Sequence, residues 1–498
     1  MWEINNNCVI IKTSFIPIYE TESIVPTIFS NISLSMYELS GMISDDKIIE
    51  NLFRLTDEYD KWIEKLNDKL SLLSKSEQII AIKNINTCKE CSERIKRGIK
   101  KINSDALALT AFKFMNESML LQQLHYNIQK REYVQGTLEF KNKSFQMPLL
   151  NDQKTWGKVK GLWRPFQIAF ILLNIVSITE PNNEEHQNVE LIWFPTGGGK
   201  TEAYLGLSSF TIFYRRLLNK NDFGTDILMR YTLRLLTAQQ YERAATLICC
   251  ADYIRSNNEN LLGKNRISIG LWVGSKTTPN NSDDAYKLLT ELNNNKYAKN
   301  PFIITKCPWC GAEMGRADNG LDRGYRVSKK GNGGKWKFSY RCCNPECHFS
   351  HQDLPLDIID EQIYQNPPTL LIGTVDKFAT LPFVPQSQSI FGIVNGHRQK
   401  GVSLINQDEL HLISGPLGST VSLYETMIDY LSSDNRDKNN IIKPKIIAST
   451  ATISQAKSQC KSLFCRDENR VKIFPPSGID AGESFFAQKS QNCPGRLY

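Results

Sequence analysis

The 498-residue chain has no apolar run of the roughly 18–20 residues that a bilayer span requires. The longest, Phe166 to Ile178, is too short and carries Gln167 and Asn174. The N-terminal Met-Trp-Glu-Ile-Asn-Asn-Asn has neither a basic stretch nor an apolar one, so no secretory signal is visible. These two absences predict a cytoplasmic protein without membrane contact. Charge of one sign is also lacking: 60 Lys and Arg stand against 52 Asp and Glu, a net of +8. Such an excess permits a polyanionic partner without demanding one, because steering depends on where charge clusters. No internal repeat of fixed period is present. With 41% hydrophobic and 22% charged residues, the composition excludes a disordered chain, a collagen-like repeat and a small disulfide scaffold. The thirteen cysteines are odd in number and mostly close-spaced, which suits metal ligands or buried thiols better than disulfides.

What is present falls into five stretches. Residues 1–140 read as a mainly helical domain, since Ile48, Leu52, Leu55, Tyr59, Trp62, Leu66, Leu70 and Leu73 recur at three- and four-residue steps. A second helical pattern spans Ala106 to Gln129. Cys88 and Cys91 lie in this region without a second pair nearby and read as two thiols on a helix. Beyond residue 150, β-branched runs alternate with helical patterns, which predicts a parallel α/β sheet. Its expected strands are Val189–Phe194, Ile267–Val273, Leu370–Thr374, Val402–Ile405 and Lys445–Ala448. The sheet is divided into 150–295 and 353–470 by a Gly-, Lys- and Cys-rich segment, 296–352. Residues 471–498 remain as the start of something further.

The most informative stretch is Leu191-Ile-Trp-Phe-Pro-Thr-Gly-Gly-Gly-Lys-Thr201, an apolar strand running into three glycines and then a helix. Glycines there let backbone N–H groups turn inward around phosphates, and the helix N-terminus adds its positive end. Thr196, Gly197, Gly198 and Gly199 would cradle ATP, Lys200 would reach its β- and γ-phosphates, and the Thr201 hydroxyl would hold Mg²⁺. The form Pro-Thr-Gly-x-Gly-Lys-Thr after a large apolar residue resembles that of superfamily 2 helicases. A second apolar strand ends in Asp408-Glu409-Leu410-His411. Asp408 would hold Mg²⁺ through water, Glu409 would orient and deprotonate the attacking water, and His411 would couple nucleotide state to neighbouring motifs. Weaker matches fall in the right order. Gln167, 33 residues before Lys200, is placed to read an adenine edge; Arg234 and Gln239 resemble a segment that touches nucleic acid; Ser449-Thr450-Ala451-Thr452 resembles the motif linking hydrolysis to strand movement, with Thr450 and Thr452 its hydroxyls.

In the 296–352 segment, Cys307-Pro-Trp-Cys310 has the spacing of a metal-binding knuckle, and Cys342-Cys343-Asn-Pro-Glu-Cys347 supplies the second half. Four thiolates would close a structural Zn²⁺ site and fold a loop that lacks a core of its own. Cys342 and Cys347 are the preferred second pair, with Cys343 spare and His348 and His351 as outside choices. Residues 296–350 hold 11 Lys or Arg against 4 Asp or Glu, interleaved with Trp309, Tyr325, Trp336, Phe338 and Tyr340. That is the composition of a single-strand contact surface, and equally that of a ribbon whose aromatics are its small core.

With the motifs placed, the chain resembles the helicase subunit of DISARM-type bacterial antiphage systems. The likeness is carried by Trp193-Phe-Pro-Thr-Gly-Gly-Gly-Lys-Thr-Glu-Ala-Tyr-Leu-Gly206, Tyr231-Thr-Leu-Arg-Leu-Leu-Thr-Ala-Gln-Gln240, Gly270-Leu-Trp-Val-Gly274 and Asp408-Glu-Leu-His-Leu-Ile-Ser-Gly-Pro-Leu-Gly418. It implies a RecA-like P-loop lobe with a Zn-ribbon-like insertion, and an ATP-dependent DNA helicase or translocase acting with other defence subunits. Nucleic-acid contact then falls to Arg234, Gln239 and Thr374. Such enzymes hydrolyse ATP between two lobes, and no Gln-x-x-Gly-Arg-x-x-Arg motif of a second lobe follows. The expectation is therefore an N-terminal portion that needs a second lobe in trans, with 471–498 its truncated start. The competing expectation is a nucleotide-sensing, nucleic-acid-binding module without unwinding activity.

Overall fold

The computed structural model describes residues 2–5, 8–11, 20–21, 24–29, 31–194, 198–232, 234–274, 277–329, 334–450, 455–480, 482–489 and 496–497. After short N-terminal strands come three long helices: α1 (Asp45–Lys69), α2 (Lys75–Ser104) and α3 (Ala106–Tyr126). Their starts follow from sequence. Asp45 and Asp46 place negative charge in the first turn of α1. Ser74 and Glu77 form a reciprocal capping box on α2. The Asp105 carboxylate accepts from the backbone N–H of Leu107 and Ala108 at the head of α3.

Helix α4 (Pro165–Thr179) is the apolar run noted above. It is buried on all sides from Pro165 to Ile178, packing on α2 and on the helix after the phosphate loop, as a core helix does. Gly98 of α2 permits that approach: a Cβ there would sit 1.9 Å from the Leu172 carbonyl oxygen.

There follow β1 (Val189–Trp193), α5 (Lys200–Leu218), β2 (Ile227–Tyr231), α6 (Arg234–Asn257), β3 (Ile269–Trp272) and α7 (Ser282–Asn294). The cysteine segment contributes two antiparallel hairpins, β4 (Gly315–Asp318) with β5 (Leu321–Arg323) and β6 (Tyr325–Lys329) with β7 (Trp336–Tyr340). The chain then re-enters the sheet through β8 (Leu356–Asp357), β9 (Leu370–Thr374), β10 (Leu404–Gln407), α8 (Gly415–Ser432), β11 (Lys445–Thr450), α9 (Ala456–Phe464) and β12 (Val471–Phe474). The eight-stranded sheet runs β8-β3-β9-β2-β10-β11-β1-β12, and every pairing in it is parallel. This is an α/β fold with a helical N-terminal region and a cysteine-rich insertion, as expected from the sequence.

All five expected strands lie in this sheet. Strand β2, at its middle, was not among them. Its run is short and ends in Arg230-Tyr231, and Arg230 is buried there only because Glu425 meets its guanidinium at 2.7 Å. Residues 471–498 begin with β12, which pairs with β1 as an edge of this same sheet, and Ala487–Lys489 pairs with Ile24–Pro26.

The N-terminal helices and the sheet share one apolar core. A buried ion cluster ties them. Glu190 in β1 meets Arg94 of α2 at 2.5 Å and Lys445 of β11 at 3.3 Å. Burial alone would raise the Glu190 carboxyl, yet these two cations hold it below the usual carboxylate range. Among the described residues no helix is long and apolar enough to cross a membrane.

Candidate functional site

In open parallel sheets, ligands gather beyond the carboxyl ends of the strands. There β1 leads into Gly198, Gly199 and α5, β10 into Asp408, and β11 ends at Thr450. Gly199 has φ +93°, which glycine adopts freely, and a Cβ there would come within 2.6 Å of the Gln167 amide nitrogen. Lys200 is buried, and its Nζ donates to the carbonyls of Phe194 at 2.9 Å and Thr450 at 3.4 Å. Burial pushes this ammonium below its ordinary pKa, opposed by the nearby charges of Glu409 and Asp408.

Asp408 is held from several sides. Tyr204 Oη donates to its Oδ2 at 2.9 Å, the Ser449 hydroxyl to its Oδ1, and the Glu409 backbone N–H also to Oδ1 at 3.0 Å. Glu409 sits at φ +46°, a left-handed conformation that side chains other than glycine rarely adopt, and one that concentrates at functional sites. Its Oε2 meets His411 Nδ1 at 3.3 Å, and the same ring nitrogen lies 3.4 Å from Thr450 Oγ1. His411, which follows β10, thus contacts Thr450 at the end of β11.

Lys200, Thr201, Asp408 and Glu409 line one cavity of about 560 Å³. Its other wall brings in Gln123 of α3 and Gln240 and Arg243 of α6, with Arg243 paired to Glu202 of α5. The donor set suits Mg²⁺. A hydroxyl and a carboxylate, both oxygen ligands, leave most of the octahedron to water and to phosphate oxygens.

Other expectations are redirected. Gln167 is buried, and both ends of its amide are engaged: Oε1 accepts from Arg164 N at 2.8 Å and Nε2 donates to Gly199 O at 2.9 Å. It braces the phosphate loop against α4 and also lines the cavity that holds Lys200 and Thr201. Thr374 is fully buried with an unpartnered hydroxyl, so it does not reach a nucleic-acid surface. Gln239 is exposed at the start of α6. Thr196, Gly197 and Thr452, and the side chain of Arg234, lie outside the described residues. The sequence reading passed over Tyr204, Arg164 and Arg243. Tyr204 could have been found, standing one helical turn after Lys200 and Thr201 on their face of α5.

The insertion holds a second site. The Sγ atoms of Cys307, Cys310, Cys342 and Cys347 lie within 4.8 Å of one another, all four residues buried. Cys310 and Cys342 are 3.4 Å apart, and Cys307 and Cys347 3.9 Å. A tetrahedron with Zn–S bonds near 2.3 Å has edges of about 3.8 Å, so the donor set fits zinc. Cys343 turns away, its Sγ donating to Asp322 O at 3.2 Å. The interleaved aromatics are mostly core: Trp309, Tyr325, Phe338 and Tyr340 are buried, and Trp336 stacks on Tyr286 at 4.1 Å. Cys88 and Cys91 are buried on α2, as expected of plain thiols.

Fold and site together define a RecA-like P-loop lobe carrying a four-cysteine insertion. No family model matches the chain. It is 34% identical, over an alignment of 539 residues, to "DISARM protein DrmA" of Bacillus paralicheniformis, a match covering 98% of this chain and 46% of that protein. The chain thus spans about half the length of the curated relative it matches, and the resemblance read from its motifs is borne out along nearly all of it. Among solved structures, the DUF1998 helicase MrfA is matched with a TM-score of 0.30 and 13% identity, over 60% of this chain and 30% of that one.

Proposed function

We propose that this chain is the ATPase lobe of a DNA helicase or translocase in antiphage defence, working with DNA, other defence subunits and a second RecA-like lobe. The observation that carries this reading is the convergence of Lys200, Thr201, Asp408 and Glu409 on one cavity at the carboxyl edge of a parallel sheet. The similarity to DISARM protein DrmA supports the defence setting.

In this reading Lys200 leaves its two carbonyl partners for the β- and γ-phosphate oxygens, where its charge offsets theirs. Thr201 and Asp408 would hold Mg²⁺, which when bound would offset phosphate charge. Glu409 accepts the proton of the attacking water, held in place through His411. The contact from His411 to Thr450 carries the occupancy of the site to β11, and so toward the segment expected to move along DNA. The four cysteines hold Zn²⁺ in a structural role, keeping the insertion folded against α3 and α6.

The test is binding of a fluorescent ATP analogue, and ATP turnover with and without single-stranded DNA, by the chain alone and with a polypeptide bearing the second lobe. Lys200→Ala should abolish binding and turnover. Unchanged affinity and turnover in that variant would overturn the assignment.

A further inference from the structure

Tyr204 lies outside the motif residues, yet its hydroxyl stands between the two groups that would carry Mg²⁺. Tyr204 Oη is 2.9 Å from Asp408 Oδ2, 3.2 Å from Thr201 Oγ1 and 3.5 Å from Tyr231 Oη. The ring is 2% exposed, so bulk water does not compete for these contacts. A phenol has one hydrogen to give and lone pairs to receive with. An ionised carboxylate can only accept, and it is the nearest neighbour, so the hydrogen goes to Asp408. The same phenol reaches the Thr201 hydroxyl oxygen, so one side-chain oxygen touches both groups.

From this geometry we propose that Tyr204 is a positioning residue for the magnesium site, aligning the Thr201 hydroxyl and the Asp408 carboxylate through one phenolic oxygen. The proposal rests on the nucleotide-site reading above and deepens it. Asp408 already receives the Ser449 hydroxyl and the Glu409 N–H at Oδ1. With Tyr204 at Oδ2 the carboxylate is fixed in plane, and one lone-pair site on Oδ2 is left for water on the metal. Partners of this outer kind orient metal ligands, and their loss lowers metal affinity by roughly 10–100-fold.

The experiment titrates Mg²⁺ against binding of a fluorescent ATP analogue by the parent chain and by Tyr204→Phe, with Mn²⁺ binding followed by electron paramagnetic resonance as a readout independent of turnover. Removal of the hydroxyl should raise the half-saturating Mg²⁺ concentration by about tenfold or more. Affinity for the metal-free analogue should stay at the parent value. In the double variant with Asp408→Asn the two losses should be far from additive, because one acts through the other. Should Tyr204→Phe fail to fold, 3,5-difluorotyrosine at this position keeps ring and hydroxyl and alters only donor strength; a displaced Mg²⁺ midpoint supports the proposal. Unchanged Mg²⁺ dependence in a variant that folds, beside a parent that binds the analogue, would overturn the role of Tyr204 alone. A parent chain that binds no nucleotide would overturn the reading beneath it, and the proposal with it.

Discussion

The two chemical centres of this molecule are built on opposite plans. In the cysteine insertion, four buried thiols face one another, and the surrounding aromatics pack inward, with Phe302 and Phe338 stacked at 4.6 Å. The outer contacts serve attachment: His125 of α3 lies flat against Trp309 at 4.0 Å, and Gln362 exchanges two hydrogen bonds with the Phe338 backbone. At the phosphate end of the sheet the polar groups are provisional. Lys200 rests on the carbonyls of Phe194 and Thr450, Glu409 holds a left-handed backbone, and buried polar atoms of Glu202, Gln240 and Arg243 lack partners. A closed set of ligands suits a structural metal, whereas partners that can be exchanged suit a site that binds and releases.

The sharpest way to break this contrast is at Glu409. Glu409→Gln should leave nucleotide binding near the parent value while hydrolysis falls by about 10²–10⁴-fold, since the amide cannot take the water's proton. The measurement is single-turnover hydrolysis beside analogue binding. Hydrolysis at the parent rate would show that Glu409 is not the base, and the catalytic half of the comparison would fail.

Next comes the metal. Purified protein should carry about one Zn per chain, and Cys307→Ser with Cys310→Ser should remove it. Removal should also expose 296–352 to limited proteolysis, because hairpins of this size have little core besides the metal and a few aromatics. Full Zn content in the double variant would move the site elsewhere, with Cys88 and Cys91 the next pair to test.

How far these centres could be read from sequence differs for a physical reason. Spacing alone brings Cys307 to Cys310 and puts Lys200 beside Thr201, so local motifs were legible. The parallel sheet was legible too wherever a strand is a plain apolar run. It was obscured at β2, where Arg230 occupies a strand interior on the strength of Glu425, 195 residues away. At Gln167 the position near the phosphate loop is readable, but the bonds of its amide to Arg164 N and Gly199 O are a matter of three-dimensional contact. Thr374 ends a sheet strand as expected, and only the packing around it shows that the end is buried. The aromatics of the insertion had two readings of equal standing, and burial separates them.

The smallest effect expected is at Cys343, and it tests how closed the cysteine centre is. Cys342 and Cys343 are adjacent and, by spacing from Cys347, both are acceptable ligands. Successive side chains in extended backbone point to opposite sides, so only one of the two can face the other three thiols. The structure turns Cys342 inward, 3.4 Å from Cys310, and sends Cys343 toward the Asp322 carbonyl. Cys343→Ser preserves a donor to Asp322 O at nearly the same size. Zn content should therefore stay at the parent value, and stability should change by no more than about 0.5 kcal/mol, as for a surface substitution that breaks no special contact. Cys342→Ser in the same assay should behave like the Cys307 and Cys310 pair. A Cys343→Ser protein that loses its zinc would mean that the two neighbours exchange places at the metal, and that this centre is as adaptable as the nucleotide cavity.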